Sequence, residues 1–275
     1  MKKHFVCGFV GLGLIGGSIA RAMRRSHPGC DLLACDLNQD ALSAAVSDGV
    51  INEAFPEIGP DFSRCDYIFL CAPVSENDKN LLLIQKYISP ACILTDAGSV
   101  KTNIHQHIQK AGLENQFIGG HPMAGSERTG YWNSKALLLE NAYYILTPCE
   151  KTPQKALTDF KDLISSLGAI PLILTSSQHD YVTAAVSHLP HVIAASLVNL
   201  IRESDSCDGI MKMIAAGGFK DITRIASSSP SMWQQICMTN SENILSLLDA
   251  YMKALSKVRE QILSSDGKQL YAFFD

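Results

Sequence analysis

A chain of 275 residues, 47% hydrophobic and 18% charged, has room for about two domains, each with its own core. Its formal net charge of −4 gives no basic footprint for nucleic acid or an anionic membrane, so neither is expected as a partner, and an acidic substrate would need a local group of cations. The nine cysteines are odd in number, include no Cys-x-x-Cys and lie mostly in apolar runs, which points to reduced core residues of a cytoplasmic protein.

Met1-Lys2-Lys3 and the apolar run behind it imitate a secretory leader. The same run, however, holds a glycine fingerprint. Phe5 to Val10 is a short apolar strand, Gly11-Leu12-Gly13-Leu14-Ile15-Gly16 follows at once, and Ile19 to Arg25 is helical. In a strand–Gly-x-Gly-x-x-Gly–helix unit the first glycine permits the turn, the second admits a pyrophosphate and the third lets helix and strand pack closely. The phosphates then meet the positive end of the helix. Gly11, Gly13, Leu14, Ile15 and Gly16 are therefore expected to hold a dinucleotide. The next apolar run, Asp31 to Cys35, ends in Asp36, twenty residues after Gly16, which is the spacing of an acid that bonds the adenosine ribose. An Asp there, with no arginine directly after it, favours NAD over NADP. Its rival role is to cap the next helix, beside Asn38 and Asp40.

Further strands are expected at Tyr67 to Cys71, Cys92 to Thr95, Phe117 to Ile118, Tyr143 to Leu146 and Ile170 to Leu174, with helical stretches between them. Alternating apolar strands and helices imply an α/β fold with a doubly wound, mostly parallel sheet. Ser75-x-x-Asp78 and Thr152-Pro153 read as helix starts. Loops after the strands line the ligand crevice of such a sheet, and three are informative: Ala72-Pro73, Asp96-Ala97-Gly98-Ser99-Val100-Lys101 and Gly119-Gly120-His121-Pro122-Met123-Ala124-Gly125-Ser126-Glu127. The last places an imidazole among glycines. Pro122 lacks an N–H, so a loop is expected there rather than a central strand.

From Ser176 the pattern is nearly all helical, which puts a domain boundary at 174, with domains 1–174 and 175–275. Ser177-x-x-Asp180 opens a long helix carrying His179, His188 and His191. Tyr181 to Ile201 lacks Asp, Glu, Lys and Arg and is long enough to cross a membrane, but Pro190, the histidines and Asn199 favour a buried helix. No metal site is expected, because His188 and His191 have no acidic or thiol ligand nearby. Ser229-Pro230 starts a final helix running to about Leu263, with a broad apolar stripe that includes Trp233, Ile236, Ile244 and Leu248. So much apolar helix favours a homodimer through this region. Ser265 to Asp275 reads as a short appendage.

With the glycine loop, Asp36, Asp96-x-x-Ser99-x-Lys101, the His121 segment and Ser187-His188-Leu189-Pro190-His191 in view, the chain resembles the prephenate dehydrogenase family of tyrosine biosynthesis over roughly residues 5 to 265. The resemblance implies an N-terminal Rossmann domain followed by an all-helical dimerisation domain. It implies oxidative decarboxylation of prephenate by NAD, with His121 taking the proton of the ring hydroxyl. A neutral imidazole, with an unperturbed pKa of ~6.5, suits that role. It further implies that Ser99 orients His121 and approaches the nicotinamide; Ala72 and Pro73, in the loop after the fourth strand, are expected to bind the cofactor. Arg224 becomes the carboxylate-binding cation, His179, His188 and His191 line the substrate, and Glu127 faces Lys220 or Arg224 as an ionic gate. The rivals are arogenate dehydrogenase chemistry, another small-acid dehydrogenase and a catalytically silent NAD-binding protein.

Overall fold

The computed structural model describes residues 4–126 and 128–275, with the side chains of Val74, Ser75 and Asp78 left out. The chain divides into two compact units, Met1–His179 and Asp180–Asp275.

The first unit is built on a parallel sheet of β1 (Val6–Val10), β2 (Asp31–Cys35), β3 (Glu53–Phe55), β4 (Tyr67–Leu70) and β5 (Ile93–Asp96), in the order β3-β2-β1-β4-β5. The inner strands β1, β2 and β4 are largely apolar because both of their faces are covered. Cys7, Phe9, Leu32, Ala34, Tyr67 and Phe69 enter one core, while Val10, Leu33, Cys35, Ile68 and Leu70 enter the other. The first core takes the apolar face of α1 (Leu14–Ser26), part of α2 (Gln39–Ser47) and α5 (Gln154–Ser166), and the second takes α3 (Val74–Ile84) and α4 (Thr102–Ala111). β3 escapes the sequence reading because it is three residues long, largely exposed and paired only with β2.

A second sheet continues the first. β6 (Ile118–Pro122) pairs antiparallel with β7 (Tyr143–Pro148), which pairs parallel with β8 (Ile170–Ile173), and a parallel bridge from Leu94 to Phe117 ties β6 to β5. His121 and Pro122 therefore belong to a strand, opposite Ile145 and Tyr144, and not to the expected loop. The proline is tolerated because it is the last residue of β6, where a missing N–H costs little. Thr152 does not cap α5 either. Pro153 takes the cap position, and the Thr152 hydroxyl accepts from Cys149 N and donates to Phe117 O. α3 starts at Val74 with Pro73 at the cap position, two residues ahead of the expected cap Ser75.

The second unit is helical. The segment that enters it runs from α6 (Ser176–Thr183) through a π-helical stretch, Ala184–His188, into α7 (Leu189–Ser204). The π stretch lies just ahead of Pro190, which cannot donate to the carbonyl four residues back and whose ring crowds it. This is the helix expected to be buried, yet only 17% of its most apolar window is buried within the chain. Ala184, His188 and Ala194 face inwards, whereas Tyr181, Val186 and Leu200 are exposed. By length and composition the helix would suffice to cross a membrane.

Two short helices follow, α8 (Ile210–Ile214) and α9 (Gly217–Thr223). The expected single final helix is broken at Asn240 into α10 (Pro230–Thr239), capped by Ser229, and α11 (Ser241–Leu263). Asn240 leaves helical geometry so that its buried amide can donate to Asp180 O, and that fixed polar partner is what a periodicity cannot reveal. The tail forms α12 (Gly267–Phe274), capped by Asp266.

Candidate active site

β1, β2, β4, β5 and β6 run the same way, so their carboxyl ends share one edge of the first unit. The glycine loop lies at the switch between β1 and β4. Gly11 sits at φ +95°, and a Cβ there would come within 2.8 Å of Ala72 N, so the loop can press against Ala72-Pro73 only as glycine. A Cβ on Gly16 would lie 2.2 Å from Gly11 O, whereas one on Gly13 would meet nothing within 4 Å, leaving that side of the loop open. The first intrahelical bond of α1 is Gly17 N to Gly13 O, so the amides of Leu14, Ile15 and Gly16 precede it and face the loop mouth. A dinucleotide fits this cradle.

Asp36 closes the cradle at the end of β2. Its carboxylate accepts from Leu12 N at 2.6 Å and from Asn38 N at 2.7 Å. Asn38, not Asp36, caps α2 by accepting from Ala41 N. The capping role is thereby assigned to Asn38. Asp36 ties the glycine loop to the strand end and keeps lone pairs for a ribose.

The His121 end of the edge rests on an ion pair. Lys101 and Asp96 are both buried and bonded to each other, and together they grip one peptide unit on each side of Gly120. Lys101 Nζ donates to Gly120 O at 2.7 Å, while Gly120 N donates to Asp96 Oδ1 at 3.2 Å. Asp96 Oδ2 also accepts from Gly98 N at 3.0 Å, which fixes the turn carrying half-buried Ser99. Gly120 must be glycine, since a Cβ would meet Asp96 O at 2.6 Å. The residue after this clamp is His121, whose Nδ1 lies 2.8 Å from Nε2 of fully buried His179. The rings cross at 62° with centroids 5.0 Å apart. His179 is thus a hydrogen-bond partner of His121 within this unit.

In the second unit His188 and His191 gather around Trp233. His191 stacks on the indole at 3.8 Å, and His188 meets it edge-on at 6.0 Å. Buried His188 accepts at Nδ1 from the Asn240 amide, 3.2 Å away, so its neutral form carries the proton on Nε2. His191 has the opposite tautomer, because its Nδ1 must donate to Ser187 O at 3.0 Å. Burial pushes its imidazole below the ordinary range, against a smaller upward pull from the Ser187 carbonyl. Among the described residues no cluster of three or more His, Cys, Asp or Glu is arranged for a metal. Lys220 lies in the last turn of α9 and Arg224 opens the next turn, both exposed, and among the described residues no ion pair joins Arg224 to Asp221. Glu127 lies outside the described residues.

Lys101, Trp233 and Asn240 emerge as site-building residues that sequence reasoning passed over or left as members of a motif or stripe. Only Lys101 carried a signal, an acid at a strand end followed by a lysine five residues later.

A sheet of this order with a glycine cradle, an acid at the end of β2 and an imidazole on the same edge defines a Rossmann protein of the dehydrogenase class. The family model of the prephenate dehydrogenase nucleotide-binding domain matches residues 19–172, and that of the prephenate dehydrogenase dimerization domain matches residues 175–275. The chain is 37% identical to prephenate dehydrogenase of Bacillus subtilis over 269 residues, covering 96% of this chain and 72% of that protein. It is also similar to the crystal structure of prephenate dehydrogenase from Aquifex aeolicus in complex with hydroxyphenyl propionate and NAD+ (TM-score 0.92, 33% identity, 98% and 94% covered). Arogenate dehydrogenase from Synechocystis gives a TM-score of 0.85 at 30% identity, with 98% and 96% covered. The chain belongs to the prephenate dehydrogenase family.

Two expectations follow. Lys101→Met leaves the Asp96 carboxylate buried without its charge partner and should cost about 3–5 kcal/mol, read from the urea midpoint. Removing both charges in Lys101→Met/Asp96→Leu should recover part of that loss, and a single variant as stable as the parent would contradict the clamp. The second concerns His191. The unfolded ring takes up a proton near ~6.5 and the folded ring only at lower pH, so stability is present above that value and is lost as pH falls through the window below it. The ring is only partly buried, so the effect is modest. His191→Phe should flatten the acid side of a plot of melting temperature against pH, and parallel curves would refute the assignment.

Proposed function

We propose that this chain catalyses the oxidative decarboxylation of prephenate to 4-hydroxyphenylpyruvate and CO2, with reduction of NAD, as a step of tyrosine biosynthesis. The observation that carries the reading is His121 held by the Gly120 clamp on the same sheet edge as the glycine cradle. The names of the relatives agree, including the solved complex with hydroxyphenyl propionate and NAD+. The dinucleotide supplies the hydride acceptor when bound.

In this reading residues 1–174 form the dinucleotide-binding domain and 175–275 the substrate and dimerisation domain. Gly11, Gly13, Leu14, Ile15 and Gly16 hold the pyrophosphate, Asp36 the ribose, and Ala72, Pro73 and Ser99 border the nicotinamide. His121 accepts the proton of the ring C4 hydroxyl as C4 is oxidised, and aromatisation then drives loss of the ring carboxylate. Arg224 binds a substrate carboxylate through its planar fork. His179, His188, His191, Lys220 and Glu127 complete the substrate surroundings.

Arogenate is the second reading, favoured by the Synechocystis relative. Its ammonium group needs an acidic neighbour, whereas the keto group of prephenate tolerates a neutral one. His191, which burial biases towards the neutral form, favours prephenate. The exposed apolar side chains Tyr181, Val182, Val186 and Leu200 along the helical segment from α6 to α7 support a homodimer through the helical domain, and nine free thiols support a cytoplasmic location.

His121→Asn should lower turnover by about 10²–10⁴-fold while NAD and prephenate still bind. Parental turnover should decline towards acid pH as the imidazole takes up a proton, and that limb should vanish in the Asn variant. Arg224→Ala should do the reverse, weakening prephenate binding roughly ten- to a hundredfold and sparing NAD. An Asn variant with parental turnover, or an Arg224 variant that loses both ligands equally, would overturn these roles.

A further inference from the structure

His121 and His179 share a single hydrogen bond between two ring nitrogens, 2.8 Å apart, and this constrains both tautomers. One proton must lie between Nδ1 of His121 and Nε2 of His179. Were it on His179, a neutral His121 would carry its own proton on Nε2 and present a donor at the far side of the ring. Were it on His121 Nδ1, Nε2 would hold a free lone pair. Only the second arrangement can take a proton from a substrate hydroxyl.

We infer that His179 is a positioning residue that accepts the Nδ1 proton of His121 and so holds the base in its Nδ1–H, Nε2-acceptor tautomer. This rests on the proposed dehydrogenase reaction, in which His121 is the base, and gives His179 a task distinct from lining the substrate. The geometry suits it. His179 is wholly buried on α6, so packing fixes its ring, and the 62° crossing directs its Nε2 at the edge of the His121 ring. In that tautomer Nε2, on the opposite edge of the His121 ring, is the atom able to accept the proton of a substrate hydroxyl. When Nε2 takes the hydroxyl proton, the imidazolium still donates its Nδ1 proton to His179, so the new charge forms beside a ready acceptor. A catalytic histidine is commonly oriented in this way by an acceptor behind it, a carboxylate in the Ser-His-Asp arrangement and an imidazole here.

The test uses ¹⁵N-histidine-labelled full-length protein together with the variants His179→Gln and His179→Leu. In the parent, the His121 shifts should report a protonated Nδ1 and a bare Nε2, without any ligand. His179→Gln keeps an acceptor oxygen near the position of Nε2, so it should retain the tautomer and most of kcat. His179→Leu should lose kcat by at least about tenfold and up to about 10⁴-fold, the loss associated with a wrong histidine tautomer, with KM for NAD near parental and KM for prephenate changed far less than kcat. A parental His121 protonated on Nε2 would overturn the inference. So would parental kcat in His179→Leu, or loss of kcat and both ligands alike in the Gln and Leu variants. If the parent fails to oxidise prephenate, the reaction assignment fails, and the NMR tautomer alone then decides whether His179 holds the His121 proton.

Discussion

The Lys101–Asp96 ion pair is the constraint on which the candidate site depends. A charge pair removed from water is a costly way to gain stability, since well-packed apolar side chains often do as well. Here its geometry holds both backbone groups of Gly120 and the turn at Gly98. One carboxylate and one ammonium therefore fix, from inside the core, the strand end that carries His121 and the turn that carries Ser99. A hydrophobic replacement would satisfy none of those peptide groups.

The two units solve different problems. In the first, a parallel sheet covered on both faces delivers strand ends to one edge, so residues distant in sequence, such as Asp36 and His121, become ends of one row. In the second, helices set histidines around an indole, with a hydrogen bond to Asn240 setting the tautomer of His188 and one to Ser187 that of His191. The three histidines His179, His188 and His191 look alike in sequence. Their environments differ: one faces another imidazole, one an amide and one a carbonyl.

The parts of the molecule that were legible in the sequence are those whose causes are local. The glycine loop, the strand before it and the helix after it lie within some twenty residues, and Asp36 follows at a fixed distance. The apolar strands of the central sheet declare themselves because both faces are buried. What was not legible depends on distant partners. Pro122 reads as a strand breaker, yet pairing with β7 carries β6 through it. The apolar stripe after Ser229 reads as one helix, yet the need of Asn240 to reach Asp180 O breaks it. The His121–His179 bond spans 58 positions and leaves no spacing to recognise.

The central claim is that the His121 edge takes the hydroxyl proton while a hydride leaves the carbon that bears that hydroxyl, and that loss of a carboxylate follows from the same turnover. The direct test is the CO2 released per NADH formed when the protein turns over prephenate with NAD, with 4-hydroxyphenylpyruvate quantified in the same reaction. The account predicts one CO2 and one 4-hydroxyphenylpyruvate for each NADH. NADH formed without CO2, or no NADH from prephenate when arogenate or a simple hydroxy acid is oxidised readily, would contradict it.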